Sequence, residues 1–435
     1  MNPTPLAGAA RTDDALFRRI TWRLVPLLFA CYVFNYLDRT NVGYAQLQMK
    51  DQLGFGDAVF GLGAGIFFIG YALFEIPSNW LMARIGMRTT LLRIMGLWGL
   101  ASAAMLFVST PLQFYTLRFL IGVFEAGFAP GVLYYLTLWF PSHRRAQVTA
   151  LFFMGYSAAP IVAGPIAGLT MTYLNGVGSL QGWQWLFLLE GLPSVLLGIA
   201  AFFWLSDTPA QADWLTGEEK LRVQQTLDED QKICGASTRG PAASAWRDGR
   251  VWLLGLMSFL VILGIYALSF WQPTLMQTMG LSVLEIGFYS VIPAVVGIAA
   301  TLVIGRHSDR VRERRWHFAI TAALGALGLS LTTVFMHNAP LAVACLALAS
   351  AGISSAFAIL WTVPGTLLSK PAAATGIALI TTLGGCAGVV APVLVGYLKA
   401  ATGNFTLSLY LLSGALLLSA LLMLFALPHP ARARS

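Results

Sequence analysis

The sequence predicts an all-α membrane protein in which 12 transmembrane helices form two pseudo-symmetric six-helix lobes. Its 435 residues are 57% hydrophobic and 11% charged, whereas soluble globular chains carry about 25% charged residues. Twelve apolar runs are each long enough for the roughly 20 residues that cross a bilayer. A basic loop also recurs at the same place in both halves, which indicates an internal repeat.

The predicted spans fall into two sets of six, separated by one long polar stretch. The first set begins near Trp22, Ala58, Thr90, Leu112, Ala146 and Gln184. The second set begins near Val251, Val283, Trp316, Pro340, Ala374 and Phe405. We therefore divide the chain into an N-terminal tail (1–20), an N-terminal lobe (21–205), a linker (206–250), a C-terminal lobe (251–427) and a C-terminal tail (428–435). The mixed-charge linker is predicted to be partly helical.

The distribution of basic residues predicts the orientation. All but four of the 27 Lys and Arg residues lie in the two tails, the linker and the loops that lead into odd-numbered spans. The exceptions are Lys50 and Lys399 in opposite loops, and Arg39 and Arg118 within spans. Because basic loops stay on the cytoplasmic side, both termini are predicted to be cytoplasmic. The net charge of +8 is thereby explained without nucleic acid.

The remaining composition excludes several classes of protein. Cys31, Cys345 and Cys386 lie in apolar runs and Cys234 lies in the linker, without the spacing of a disulfide framework or a zinc site. No metal and no cofactor are expected. The N-terminal tail has two aspartates and no apolar core, so no cleaved signal peptide is expected. Because no P-loop or nucleophile elbow occurs, the chain is not expected to be an enzyme or an ATP-driven pump.

Four charged side chains lie inside predicted spans. Asp38 and Arg39 are adjacent in the first span and point about 100° apart, so at most one faces a central path directly. Arg118 and Glu125 lie two turns apart in the fourth span and share a face. A charge at the bilayer centre costs roughly 2.5–3.5 kcal/mol on insertion scales. Two cations and two titratable acids therefore indicate a site that binds an anion and moves a proton; a buried structural ion-pair network is the alternative.

The repeated basic loop covers residues 79–93 and 305–316. It resembles the cytoplasmic signature of the major facilitator superfamily, roughly G-x-x-x-D-R-x-G-R-R. The second copy keeps Gly305, Asp309, Arg310, Arg314 and Arg315. The first keeps Arg84, Gly86 and Arg88 but has Asn79 and Ala83 instead of the glycine and the aspartate. These residues are predicted to gate the cytoplasmic end, with Glu75 as a candidate replacement for the missing acid.

Three longer segments make the resemblance more specific. NYLDRTNVGYA (35–45), GYALFEIPSNWLMARIG (70–86) and LRFLIGVFEAGFAPGVLYYLTLWFP (117–141) resemble the anion:cation symporter branch, including bacterial tartrate, phthalate and hydroxyphenylacetate permeases. The resemblance implies the major facilitator fold and proton-driven uptake of an organic carboxylate across the bacterial inner membrane. It also implies that Asp38 and Glu125 carry the coupling proton and that Arg39 and Arg118 bind the carboxylate. The expected partners of this monomer are a small organic anion, protons and the bilayer.

Two other functions stay open. GYSAAPIVAGPIAG (155–168) resembles a fifth-span motif of antiporters, which favours a proton-coupled exporter of a metabolite or drug. The same glycines and prolines also serve close helix packing. A receptor that binds a ligand without transporting it is the second alternative. Glu190, in the sixth span, is interpreted as a packing or helix-end contact.

Several polar and aromatic residues are candidates for contact with the substrate. They are Tyr36, Tyr71 and Tyr156 in the first half, and Tyr266, Gln272, Ser355 and Trp361 in the second. Related permeases often read ALINSLGN where this chain reads ALITTLGG (378–385). Because fewer amides are present for a heavily hydroxylated ligand, the sequence favours a small or aromatic carboxylate over a sugar acid.

Overall fold

The computed structural model describes residues 5–234, 246–367 and 370–426. Within them, 12 helical spans are long and apolar enough to cross a membrane, which confirms the predicted fold. The predicted C-terminal tail (428–435), residues 1–4 of the N-terminal tail and residues 235–245 of the linker lie outside the described residues.

Six spans form each lobe. Those of the N-terminal lobe are Asp13–Leu53, Asp57–Ile85, Met87–Phe107, Pro111–Thr137, Ser142–Tyr173 and Gly182–Trp204. Those of the C-terminal lobe are Gly249–Thr278, Val283–Val311, Arg315–Val334, Ala339–Leu360, Thr375–Thr402 and Thr406–Ala426. The first helix begins already at Pro5, so described residues of the predicted N-terminal tail continue the first span.

The fourth span is interrupted beside its charged residues. It consists of two helices, Pro111–Glu125 and Phe128–Thr137. Gly127 between them has a φ of 88°, a conformation that costs other residues more than glycine. A Cβ at Gly127 would also lie 2.8 Å from the Ser78 hydroxyl. The regular helix therefore ends at Glu125, which places that carboxyl at a break in the backbone ladder.

The linker contains the predicted helix, Gly217–Cys234, and packs on the N-terminal lobe. Trp214 stacks on Trp139 with ring centroids 5.7 Å apart. Arg19 of the first helix donates to the Glu219 carboxylate at 2.6 Å. Buried Val223 completes an apolar contact with this lobe. The described part of the linker thus belongs structurally to the N-terminal lobe.

The two lobes meet at one end of the molecule. We call the end with the linker and the basic loops the basic end, and the opposite one the distal end. Glycines allow backbone contact between the lobes at three places: Gly43 against Phe270, Gly61 against Pro392, and Gly164 against Gly287. Small residues four apart support close approach of membrane helices, and Gly61 and Gly65 both face the eleventh span.

The lobes separate toward the basic end. Ile76 lies eleven residues, about three turns, after Gly65 and on the same face of the second span. Gly65 is buried against the eleventh span, whereas Ile76 is 80% exposed. The facing side of the eleventh span changes likewise, from buried Pro392, which lies against Gly61, to exposed Gly385, two turns before it on the same face. The space between the lobes is therefore closed at the distal end and open at the basic end.

Candidate functional site

Arg39 and Glu125 form an ion pair between the first and fourth spans. The Arg39 Nε donates to Glu125 Oε1 at 3.1 Å, and its Nη2 contacts the same oxygen. Glu125 is completely buried, while the Arg39 side chain keeps 16% exposure. Glu125 Oε2 has no hydrogen-bond partner among the described residues. The pair thus joins a completely buried acid to a cation that keeps partial exposure.

Aromatic rings from both lobes surround Arg39. Its guanidinium carbon lies 5.4 Å from the centroids of Phe67 and Tyr71, within the range of cation–π attraction. Tyr266, from the seventh span, is a polar neighbour of the guanidinium, and its ring packs 4.6 Å from Phe68. The cation is therefore held by stacking and by one carboxylate oxygen.

Arg118 lies deeper in the N-terminal lobe. Its side chain is completely buried, and its Nε donates to the Gly63 carbonyl at 3.3 Å. Neither Nη has a hydrogen-bond partner among the described residues. Its guanidinium carbon lies 5.0 Å from the Phe67 ring, so this ring contacts both arginines. Arg118 has the charge predicted for anion binding but no exposure to the cavity.

Asp38 accepts its hydrogen bonds from neutral groups and not from the neighbouring Arg39. Its carboxylate accepts hydrogen bonds from Trp98 Nε1 at 2.8 Å, Ser102 Oγ at 2.7 Å and Ser194 Oγ at 2.8 Å. The physical reason is the angle between adjacent helical residues: while Arg39 turns to the fourth span, Asp38 turns to the third and sixth. Asp38 is 1% exposed and is therefore enclosed within the lobe.

Glu190 belongs to the same enclosed region. It is 2% exposed, it lies near Asn41 and within electrostatic range of Asp38, and its Oε2 has no hydrogen-bond partner among the described residues. The sequence interpretation gave Glu190 a packing or helix-end contact, and the helix-end alternative does not hold. The residue lies instead in the middle of the sixth span, Gly182–Trp204, as a second buried carboxyl behind the ion pair.

A cavity of about 410 Å³ lies between the lobes, and its lining includes Thr40, the residue after Arg39, but neither Arg39 nor Glu125. Tyr36, Tyr156 and Gln272, all predicted from the sequence, line it. Tyr36 packs edge-on to Tyr156 with centroids 4.7 Å apart, and its hydroxyl lies 3.2 Å from Ser269 Oγ of the other lobe. Further lining residues that the sequence analysis missed are Thr40, Tyr44, Ser157, Ser290, Ser354 and Phe357. Of these residues, only Thr40 and Tyr44 could have been found from the sequence, because they have helical spacing from Tyr36; the others have no such spacing from Tyr36 or Gln272.

The other predicted contact residues lie around this cavity rather than in its lining. Tyr71 stacks on Arg39, as described above. Trp361 is partly buried and packs 6.1 Å from Phe357, whereas Ser355 is 1% exposed inside the C-terminal lobe. The cavity is thus bounded by aromatic rings on both sides, and the partly exposed Arg39 lies outside its lining, next to Thr40 in the chain.

The basic loop of the N-terminal lobe is held by an acid other than Glu75. Asp207, after the sixth span, accepts from the backbone N–H of Arg88 at 2.9 Å. A carboxylate is favourable at this position because it meets the N-terminus of the helix Met87–Ala104. Arg84 stacks on Trp80 at 3.6 Å, and Glu75 has Arg39 as its charged neighbour. Gly86, with a φ of 82°, leaves room for the Asp207 carboxylate.

The corresponding loop of the C-terminal lobe closes on itself. Asp309 pairs with Arg314, and Arg314 Nη1 donates to Ser308 Oγ at 2.9 Å. Glu313 accepts from the backbone N–H of Trp316 at 2.7 Å, as Asp207 does for Arg88. Gly305 lies in the preceding helix with open space around it, and Arg310 in the last turn of that helix. The gating role of both loops stays a prediction.

The described residues contain no cluster of three or more His, Cys, Asp or Glu side chains that could bind a metal ion. The charged groups of the site are arranged as one cation–acid pair with a partly exposed cation, and Asp38, Arg118 and Glu190 are buried behind it.

Comparisons with known proteins give the family of the chain. Residues 28–392 match the family model described as Major Facilitator Superfamily. The chain is 44% identical to "Putative metabolite transport protein NicT" of Pseudomonas putida, over 95% of this chain and 94% of that protein. It is 42% identical to a "Putative tartrate transporter" of Agrobacterium vitis, over 95% and 91%. It is 41% identical to the "Quinolone resistance transporter" of Acinetobacter baumannii, over 94% of each.

Solved structures agree with the fold. A bacterial homologue of the human lysosomal transporter Spinster matches with a TM-score of 0.70 and 19% identity, over 93% of this chain and 95% of that one. The xylose transporter XylE of Escherichia coli matches with a TM-score of 0.70 and 14% identity, over 94% and 100%. The fold, the family match and the relatives identify a membrane transporter and not an enzyme, and the chain belongs to the major facilitator superfamily.

Proposed function

We propose that this transporter takes up a small organic carboxylate together with a proton across the bacterial inner membrane, with its basic end in the cytoplasm. The observation that carries the proposal is the Arg39–Glu125 pair, in which the accessible cation is bound by the inaccessible acid. A carboxylate that binds Arg39 must displace Glu125. The displaced acid then needs a proton, because an unpaired buried charge is strongly unfavourable.

This competition couples the two ligands through charge alone. In the empty state the pair is neutral, and with both ligands Arg39 binds the substrate anion while Glu125 is protonated, which is neutral again. With only the anion the site has one uncompensated negative charge, and with only the proton it has one uncompensated positive charge. Breaking one side of a buried pair costs about 3–5 kcal/mol. The singly loaded states are therefore suppressed roughly 10²–10⁴-fold, and only the empty and doubly loaded states change conformation readily.

Arg118 and Asp38 have supporting roles in this proposal. Arg118, whose two Nη groups behind Phe67 have no hydrogen-bond partner among the described residues, stabilises negative charge at the site from within the lobe. Asp38 fixes the first span against the third and sixth through three neutral donors that lie on those two spans. Arg39 is the next residue on the same helix. The Asp38 anchor therefore determines the direction in which Arg39 points, and the proton is assigned first to Glu125.

The cavity wall favours a carboxylate with a flat apolar body. Aromatic side chains stand on both sides of Arg39 and along the adjoining cavity. Several lining hydroxyls donate to their own helices: Thr40 to the Tyr36 carbonyl at 3.0 Å, and Ser290 to the Ile286 carbonyl at 2.6 Å. Hydroxyls that are satisfied in this way offer fewer donors to a sugar acid. An aromatic ring, in contrast, gains about 0.5–1.5 kcal/mol from each well-placed aromatic neighbour.

Uptake into proteoliposomes tests the proposal. The assay compares benzoate, cyclohexanecarboxylate, tartrate and gluconate, with and without an inward proton gradient. We expect at least one acid to accumulate under the gradient above its level in protein-free liposomes under the same gradient, and this excess to be lost when a protonophore is added. Binding of an acid without flux would instead favour the receptor, and gradient-independent equilibration of every acid would contradict coupling.

Export is the second candidate, and a relative favours it. The "Quinolone resistance transporter" is 41% identical to this chain, and the fifth span contains the glycine- and proline-rich segment 155–168. Gly164 and Gly168 of that segment pack against Gly287, so helix packing accounts for them. Reversing the proton gradient in the same vesicles separates the two functions, because an exporter takes up its substrate only when the vesicle lumen is acidic.

A further inference from the structure

The two basic residues that the sequence places alone on the distal side converge on one aspartate. Lys399 Nζ, from the eleventh span, donates to Asp57 Oδ1 at 2.9 Å. Lys50 Nζ, at the end of the first span, lies 3.2 Å from Oδ1 and 3.0 Å from Oδ2 of the same carboxylate. Asp57 and Lys50 belong to the N-terminal lobe and Lys399 to the C-terminal lobe. The Asp57–Lys399 bond therefore crosses the interface between the lobes.

The cross-lobe bond is well enclosed. The side chains of Lys399 and Asp57 are 7% and 12% exposed, so water screens their attraction less than on an open surface. A Cβ added to Gly396 would lie 2.6 Å from the Asp57 carbonyl, which shows how closely the two backbones approach beside it. The bond thus lies in the tightly packed contact that closes the distal end.

Each lobe also stabilises its own half of the bond. Lys399 Nζ lies 4.5 Å from the ring centroid of Phe405 and 5.5 Å from that of Trp271, both in the C-terminal lobe, and aromatic faces attract an ammonium group. Asp57 keeps Lys50 as a partner within the N-terminal lobe. If the lobes part, neither charge is left without compensation. The bond can consequently be broken and reformed without the cost of an isolated buried charge.

We propose that Asp57 and Lys399 form a distal latch, the positioning pair that holds the distal end closed while the basic end is open. Lys50 is the local counter-charge that receives Asp57 when the latch opens. This proposal requires only that the protein alternates between a conformation that is open at the basic end and one that is open at the distal end. It is independent of the substrate and of proton coupling. According to this proposal, the cross-lobe Asp57–Lys399 bond sets the equilibrium between the two conformations.

The experiment measures distances between the lobes in detergent without substrate. Spin labels are attached at Leu112→Cys and Ala401→Cys, two exposed distal positions in opposite lobes, after the four native cysteines are replaced. Pulsed electron resonance then gives the distribution of distal distances. In the otherwise unchanged protein we expect the short distance of the closed distal end to dominate.

Three variants separate the latch from a general loss of charge. Lys399→Met and Asp57→Asn are expected to shift the distribution toward long distal distances, and the double variant to shift it no further than one of them. Lys50→Met removes an ion pair within one lobe and is the matched control, which is expected to keep the short distance.

Thermal unfolding of each labelled protein shows that it is folded. If Lys399→Met unfolds, Lys399→Arg is measured as well. This variant keeps the charge and should preserve the short distance. Unchanged distances in both Lys399→Met and Asp57→Asn would overturn the latch, and so would an equal shift in Lys50→Met. Because the measurement needs neither substrate nor proton gradient, failure of the proposed symport leaves this result unaffected.

Discussion

The N-terminal lobe buries charge, whereas the C-terminal lobe buries hydroxyl groups, although both lobes contain six spans. Asp38, Arg118, Glu125 and Glu190 are at most 2% exposed in the first lobe. Among the described residues of the second lobe, Lys399 is the only buried charged side chain, and it lies at the distal end. The same architecture therefore supports two different interiors, one that responds to ions and one that does not.

The two kinds of buried group differ in what they require from neighbouring helices. A buried serine or threonine can donate to the carbonyl one turn back on its own helix, as Thr332 does to Gly328 at 2.8 Å. A buried carboxylate needs donors from other helices, as Asp38 takes them from Trp98 and Ser194. A change of protonation in the N-terminal lobe consequently changes contacts between helices. The C-terminal lobe provides a neutral wall whose contacts do not depend on protons.

Replacing the accessible cation should have the largest effect. We expect Arg39→Gln to reduce uptake by more than roughly 100-fold, since it leaves Glu125 buried without its partner. Arg39→Lys should restore uptake only in part, because an ammonium group cannot reproduce the planar guanidinium. The matched change in the other lobe is Gln272→Ala, for which we expect less than about a tenfold loss from one neutral hydrogen bond. Initial uptake rates in proteoliposomes give both numbers, and equal losses would break the proposed division between the lobes.

Neutralising the paired acid should separate coupling from transport. Glu125→Gln mimics the protonated acid, so we expect proton-driven accumulation to be lost while exchange of labelled for unlabelled substrate continues. Glu190→Gln is the matched control, because it is also a buried glutamate of this lobe but has no contact with Arg39. It should retain accumulation. Counterflow and gradient-driven uptake are measured on the same vesicles; accumulation by Glu125→Gln would remove the proton from this residue.

Asp38→Asn should have a smaller effect, on stability more than on coupling. An asparagine turns one acceptor into a donor that faces Trp98, Ser102 or Ser194, and an unsatisfied buried group costs about 1–3 kcal/mol. We expect a lower unfolding temperature and slower uptake that still depends on the proton gradient. Normal stability with lost coupling would instead support the role that the sequence analysis assigned to Asp38.

The fold and the list of charged residues followed from the sequence, because both depend on local composition. Hydropathy identifies each span separately, and a charged residue in an apolar run can be recognised without knowing which residues it contacts. The partners of those charges were not predictable in the same way. Arg39 is next to Asp38 in the chain but contacts Glu125, 86 residues away. Which of two adjacent residues turns toward a given span depends on how the helix is rotated in the lobe.

The distal contacts also show that the sequence does not give the partners of charged residues. Lys50 and Lys399 stood out in the sequence as the only basic residues on their side of the membrane, but charge counting gives orientation and not contact. Their common partner, Asp57, lies in the first turn of the second span, where an acid is already favourable toward the helix N-terminus. A local explanation for Asp57 was thus available. Only the approach of the eleventh span shows that it has a second, cross-lobe role.

The smallest effect is expected where the linker meets the N-terminal lobe. Asp230 accepts from the backbone N–H of Ser142 at 2.9 Å and from its hydroxyl, and the Ser142 hydroxyl in particular holds the pKa of Asp230 below its usual value. A depressed pKa stabilises the docked linker above the pKa of a free aspartate, about 4, and this stabilisation is lost as the pH falls through the lower pKa of the docked state.

At neutral pH, Asp230→Asn removes the same stabilisation. We expect amide hydrogens of the helix Gly217–Cys234 to exchange a few-fold faster in this variant, because an exposed charge-assisted contact contributes little. Asp228→Asn is the matched control on the same helix, since Asp228 contacts Gln224 of its own helix at 2.9 Å. Exchange in the C-terminal lobe should be unchanged in both variants. If it accelerates there as well, the linker transmits strain between the lobes, and the two interiors are not as independent as their charges indicate.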